Sequence, residues 1–271
     1  MKIKDQNQNK KAIILFSGGL DSTTCLSIAL KEGYSPFLLT VNYGQRHDFE
    51  IKAAIRIAKY LDVEDHSIID INLSHFGGSA LTDNIEVPKN RDLNTAKEIP
   101  STYVPARNTV FLSVALAKAE TLNAFDIFIG VNAIDYSGYP DCRPKFISKF
   151  EQLMNLATKD AVQNVGTYKI HTPLIKLTKS EIIKEGIELG VNYEITSSCY
   201  SPNKYGSPCG CCDACNLRLK GFHDAGLVDP LEYRWNKKIY IKSLDYKIDV
   251  TNATLEEAKT NSELTLKSLA I

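Results

Sequence analysis

Along the first two-thirds of the chain, short apolar runs alternate with longer segments whose apolar positions recur every three or four residues. KAIILF (11–16), PFLLTVNYG (36–44), HSIIDIN (66–72), FDIFIGVN (125–132) and KIHTPLI (169–175) predict strands. Asp21 to Leu30 predicts a helix that opens directly after a pair of glycines. From Asp48 onward, Ile51, Ala54, Ile55, Ala58 and Leu61 share one helical face. Arg107 to Leu122 predicts a helix that is apolar almost all round, and hence a central one. Pro144 to Lys159 and Lys179 to Leu189 predict two more. Residues 73–106 follow neither period, and loops of that length are commonly functional.

Strands alternating with helices imply βαβ units with right-handed crossovers. The expected fold is therefore α/β, a doubly wound parallel sheet. Such a sheet binds its ligand beyond the carboxyl ends of its strands, at the point where strand order reverses. The polar stretches after Phe16, Gly44, Asn132 and Ile175 are expected to gather on that rim. Past Asp229 the pattern changes: Ile239/Ile241 and Tyr246/Ile248/Val250 alternate like short strands, and Leu255 to Ala258 begins a helix. The chain thus divides into an α/β part (1–195), a cysteine-rich part (196–230) and a C-terminal extension (231–271) without an assigned role.

Composition narrows the classes. Of 271 residues, 32 are Lys or Arg and 32 Asp or Glu, so the formal net charge is zero. A balanced chain argues against direct nucleic-acid binding, which usually demands a basic excess. No apolar run approaches the roughly 18 residues that a membrane span needs, and MKIKDQNQNKK has no apolar stretch of the signal-peptide kind. A cytoplasmic location is expected. Five of the seven cysteines fall within 199–215, which in a reducing compartment favours metal over disulfides.

The first chemical motif is FSGGLDSTTC (16–25), a glycine pair between a buried strand and a helix. Gly18 and Gly19 allow positive φ and let backbone N–H groups close on an anion. The helix dipole and the hydroxyls of Ser17, Ser22 and Thr23 add to that cradle. No lysine completes a Walker A sequence and no GxGxxG is present, so a dinucleotide is not expected. The second motif is Cys199-x9-Cys209-x2-Cys212-x2-Cys215, with Cys211 as an extra thiol that points away. Four thiolates at this spacing suit tetrahedral zinc. A [4Fe–4S] cluster takes the same number, and zinc is preferred because nothing else in the chain suggests electron transfer. The third is Arg107 with Asn108 at a helix start, a phosphate or carboxylate clamp if it reaches the rim. The fourth, IGVNAIDYSGYPDCR (129–143), offers the carboxylates, hydroxyls and aromatic faces that read a flat, hydrogen-bonding heterocycle.

SGGLDS resembles the pyrophosphate loop of the N-type ATP pyrophosphatases. With VNYGQRH (41–47), VPARNTVFLS (104–113), IHTPLIKLTKSEI (170–182) and the cysteine block through CNLRLKGF (215–222), the chain resembles the 7-cyano-7-deazaguanine synthase family of the queuosine pathway. The resemblance runs from about Ala12 to Pro230, and Ala106 stands where many relatives have glycine. It implies a Rossmann-like fold of the adenine nucleotide alpha hydrolase type. It implies a ligase that converts 7-carboxy-7-deazaguanine and ammonia to the nitrile preQ0 with two ATP and Mg²⁺, through adenylated acid and amide. The alternative within the superfamily adenylates a deazaguanine for transfer to a protein or tRNA.

Residue by residue, the resemblance implies that Phe16, Ser17, Gly18, Gly19, Leu20, Asp21, Ser22, Thr23, Thr24, Cys25, Leu26 and Asn108 bind ATP. Asp21, Arg107 and Lys179 act in catalysis, Asp21 as a Mg²⁺ or water-network ligand and Lys179 on a phosphate. Tyr136, Ser137, Gly138, Tyr139 and Asp141 read the deazaguanine, and Cys199, Cys209, Cys212 and Cys215 hold zinc. A homodimer is expected by the same resemblance. His47 is a minor candidate for proton transfer.

Overall fold

The computed structural model describes residues 10–91, 98–134 and 138–234. The strand and helix expectations beyond residue 234 lie outside them, as do Tyr136 and Ser137. Five parallel strands form one sheet in the order β3-β2-β1-β4-β5. They are β1 (Lys10–Leu15), β2 (Tyr34–Asn42), β3 (His66–Asp70), β4 (Asp126–Ile129) and β5 (Lys169–His171). The helices are α1 (Leu20–Lys31), α2 (Phe49–Tyr60), α3 (Arg107–Leu122), α4 (Pro144–Ala157), α5 (Lys159–Val162), α6 (Lys179–Glu188) and α7 (Asp213–Asp224). Successive β1 side chains explain the two layers. Ala12, Ile14 and Phe16 pack with α1, α2 and α6, while Ile13 and Leu15 pack on the opposite face with α3 and α4. Strand order reverses between β1 and β4, so the crevice beyond their carboxyl ends lies there.

Two expectations need correction. Helix α3 is not central: Leu112, Ala115 and Ala119 are buried, but Val110, Val114 and Leu116 are half-buried and Ser113 and Ala117 exposed. It covers one sheet face as an ordinary surface helix. The Pro144–Lys159 helix breaks at Thr158, whose φ of −108° and ψ of 146° are extended, and a short separate helix follows. Of residues 73–106, those described (73–91 and 98–106) add to the core. Leu73, Ala80, Leu81, Val87 and Val104 form a third core cluster around Cys199, Cys209, Cys212 and Cys215. The apolar side chains of this loop pack on the cysteines and on Val41 and Tyr43 at the end of β2.

Ala106 precedes α3 with φ 55° and ψ 20°, in the left-handed region. An alanine there costs roughly 1–2 kcal/mol relative to right-handed backbone, which explains why glycine suits this position. Among the described residues no helix is long and apolar enough to cross a membrane.

Candidate active site

A cavity of about 270 Å³ opens at the switch point, lined from β1 and α1 on one side and from α3, β4 and α7 on the others. The glycine loop forms its floor. Gly18 alone of the pair has positive φ, at 75°; Gly19 is extended, with φ −81° and ψ 169°, and serves as the N-cap of α1. Gly18 has no side chain because α2 presses on it: a methyl there would lie 2.4 Å from the Ala54 amide nitrogen. Inside the loop the Ser17 amide donates to Ser22 Oγ at 3.3 Å and the Gly19 amide to Ser17 Oγ at 3.4 Å. The α1 hydrogen-bond ladder starts with Thr23 N–H to the Gly19 carbonyl, so earlier amides face out of the helix N-terminus.

The eleven residues 16–26 therefore split. Phe16, Ser17, Gly19, Leu20, Asp21 and Ser22 line the cavity. Gly18, Thr23, Thr24, Cys25 and Leu26, expected to bind nucleotide, do not. Thr23 Oγ1 donates to the Gly19 carbonyl at 2.8 Å, and Thr24 Oγ1 meets Tyr193 Oη at the same distance. Cys25 and Leu26 are fully buried in the core. These four lie further along α1, which is buried on every side from Ser22 to Ala29.

Lys179 and Asp21 meet across the cavity. Lys179 Nζ donates to both Asp21 oxygens, at 2.6 and 2.8 Å. Lys179 is the first residue of α6, after a capping box formed by Thr178 and Glu181. Its stem lies over Gly221 of α7, where a methyl would come within 2.4 Å of Lys179 Cγ. Arg107 heads α3 with its guanidinium 5.7 Å from the Tyr43 ring centre and 5.8 Å from that of Tyr139. Burial works against its charge, but Tyr43, Tyr139 and Tyr200 outweigh this and hold it above the ordinary arginine value.

Asn108 and Asp141 are brought together, but to serve each other. The Asn108 amide N–H donates to Asp141 Oδ2 at 3.0 Å, and Asn108 Nδ2 donates to the Asp141 carbonyl and to Cys142 Sγ, both at 3.2 Å. Asp141 thus caps the N-terminus of α3 from outside the helix, and its side chain does not line the cavity. Burial raises its carboxyl above the usual range, and the Asn108 amide counters it. Asn108 does reach the cavity wall. Tyr139 lines the cavity with its hydroxyl 3.0 Å from Thr102 Oγ1, whereas Gly138 does not line it. His47 also lies off the cavity, beside the Cys199–Tyr200 backbone, with burial lowering its pKa.

The four expected cysteines converge. Their Sγ atoms all lie within 4.8 Å of one another, Cys209 and Cys215 at 3.9 Å. A tetrahedral ion with metal–sulfur bonds of about 2.3 Å requires sulfur pairs about 3.8 Å apart. Backbone amides already point at the sulfurs: Ser201 and Cys209 donate to Cys199 Sγ, and Cys212 to Cys209 Sγ. Cys211 stays outside the set and half-buried.

This centre is joined to the glycine loop. The Ser197 amide donates to the Gly18 carbonyl at 3.0 Å, and Ser198 Oγ accepts from the Leu20 amide at 3.3 Å, immediately before Cys199. Arg218, nearly fully buried on α7, pairs with Asp229 at 2.7 and 3.0 Å and donates to Thr196 Oγ1 and the Tyr193 carbonyl. The segment 193–199 is therefore fixed from both ends.

The family model described as "Queuosine biosynthesis protein QueC" matches residues 11–226. The chain belongs to this family. Curated 7-cyano-7-deazaguanine synthases resemble it closely: that of Syntrophotalea carbinolica is 59% identical over 225 residues, spanning 83% of this chain and 97% of its own. The relative from Geobacter metallireducens is 56% identical over 87% of this chain and 98% of its own. That of Paramagnetospirillum magneticum is 60% identical over 83% and 99%.

In this chain several cavity residues escape sequence reading. Tyr43, Glu50, Tyr200, Ser198 and Arg218 all line the cavity. Tyr43 and Glu50 bracket the end of β2 and the start of α2, a rim position that the fold itself marks. Ser198 and Arg218 had no such signal, because only the cysteine centre carries their segment back to the loop.

Proposed function

We propose that this chain converts 7-carboxy-7-deazaguanine and ammonia to 7-cyano-7-deazaguanine, releasing two AMP and two pyrophosphates. The observation that carries the reading is the 59% identity over 97% of a protein named for that synthesis. The cavity supports it. A carboxylate is a poor electrophile until its oxygen becomes a phosphate ester, and an amide oxygen needs the same treatment before dehydration. One adenylating site serves both steps.

In this reading the loop from Ser17 to Ser22 holds the leaving pyrophosphate, with amides aimed out of α1 where charge develops. Lys179 leaves Asp21 for a phosphate, which frees the Asp21 carboxylate for Mg²⁺, a hard ion that takes one or two carboxylates besides phosphate oxygens. Arg107 neutralises phosphate or substrate carboxylate, and Tyr139 borders the deazaguanine. Cys199, Cys209, Cys212 and Cys215 hold zinc. Sulfurs within 4.8 Å suit one ion better than a cluster in which each thiolate binds a different iron.

Purified protein given 7-carboxy-7-deazaguanine, ATP, Mg²⁺ and ammonium is expected to yield the nitrile by mass spectrometry. A reaction that stops at AMP and the unchanged acid, or that couples the acid to another amine, would sink the assignment.

A further inference from the structure

Glu50 is the second residue of α2, and its side chain lines the cavity beside Tyr43, Ile51 and Arg107. Its backbone is locked to the glycine loop, since a methyl on Gly18 would sit 2.8 Å from the Glu50 carbonyl oxygen. A carboxylate held there reaches the space beside the loop's contents without any moving element. Among the described residues the cavity wall carries two carboxylates, Asp21 and Glu50. Both Asp21 oxygens accept from Lys179. The Glu50 side chain makes no hydrogen bond or ion pair with a described residue, and Arg107 acts on it only through space.

Burial raises the Glu50 carboxyl to about 7, with the Arg107 charge pulling the other way. The titratable groups facing it are Tyr43 at the end of β2 and Arg107 on α3, with Tyr139 and Tyr200 around that arginine. The reaction proposed for this cavity has a use for such a group. Attack of ammonia on the acyl adenylate forms a C–N bond, breaks the C–O bond to AMP and frees one proton. The amide oxygen then takes AMP from a second ATP and expels pyrophosphate. Cleavage of that C–O bond, with loss of the two remaining N–H protons, leaves C≡N. All three protons of ammonia must go to an acceptor.

We propose that Glu50 is that acceptor, a catalytic base that takes each N–H proton in turn and returns it to water through the open cavity. The inference rests on the nitrile-synthase reading. A carboxylate in the same place has one competing use, reading the ring N–H and amino edge of the substrate, and the two uses separate kinetically.

The test compares wild type with Glu50→Gln and Glu50→Asp. Glu50→Gln is expected to slow kcat for nitrile formation about 10²–10⁴-fold while substrate and ATP affinities stay within about threefold. In wild type kcat rises with pH through about 7, because the protonated carboxyl accepts nothing, and in Glu50→Gln that limb is gone. Glu50→Asp keeps a limb at reduced rate.

Thermal melts add a readout independent of activity. A carboxyl raised on folding destabilises the fold as pH climbs from its unfolded value through about 7. Glu50→Gln should therefore melt higher than wild type at pH 8 and not at pH 5. A Glu50→Gln enzyme with wild-type kcat and pH profile overturns the proposal, as does a loss confined to substrate KM with the limb retained. If Glu50→Gln does not fold, a Glu50→Asp enzyme with the wild-type rate and profile overturns it equally. A wild type that makes no nitrile removes the functional reading and this proposal with it; a productive wild type beside an unimpaired Glu50→Gln removes the proposal alone.

Discussion

Lys179→Ala is expected to lower kcat/KM for nitrile formation about 10²–10³-fold, the usual effect of removing one donor from a charge-developing site. The fold should survive the change. Lys179 sits at the positive end of α6, where a cation is disfavoured by roughly 0.3–1 kcal/mol. Its pair with Asp21 is partly exposed, with 34% of the Asp21 side chain open to solvent, so water can replace the ammonium. Loss of the pair and relief of the dipole nearly cancel. What alanine cannot replace is a cation whose stem is held over Gly221 and whose tip reaches the loop. Steady-state kinetics and a melting curve on the same preparation check both halves. An enzyme with wild-type kcat/KM for ATP contradicts the role.

Loss of the metal is expected to reach the nucleotide site as well as the fold. The sequence alone presents the cysteine block as a structural appendage, yet Ser197 and Ser198 tie the residues just before Cys199 to the loop backbone. Cys212 caps α7, and Ala214, Leu217 and Arg218 on that helix line the cavity. Two hydrogen bonds at roughly 0.5–1.5 kcal/mol each amount to about a 5- to 150-fold change in affinity. Treatment with a chelator, or Cys212→Ser, should weaken ATP binding by that factor in calorimetry and speed amide exchange over residues 17–22. A folded metal-free protein that binds ATP within twofold of the native one would show the two sites to be independent.

Where the chain carries a local period, the architecture was legible. Apolar strand runs alternating with helix-period segments predict a doubly wound parallel sheet with a glycine turn after β1, and both are found. Spacing alone also located the four thiols, because their convergence depends on tight local turns. What the sequence hid was tertiary. Glu50 reads as an acidic first-turn residue that suits a helix dipole, and only the packing of α2 on Gly18 puts it in the cavity. Asp141 reads as a ligand in a polar turn, but α3 needed an acceptor at its N-terminus and takes that carboxylate. Thr23 to Leu26 belong to the motif in sequence and to the interior in space, because α1 is buried on every side from Ser22 to Ala29.

The central claim is that one cavity adenylates the substrate twice, first as acid and then as amide. Labelling both carboxylate oxygens of 7-carboxy-7-deazaguanine with ¹⁸O tests it most directly. Each adenylation passes one substrate oxygen to AMP, so mass spectrometry should find two AMP per nitrile, each carrying one ¹⁸O. Unlabelled AMP, or ADP and phosphate in its place, would contradict the account.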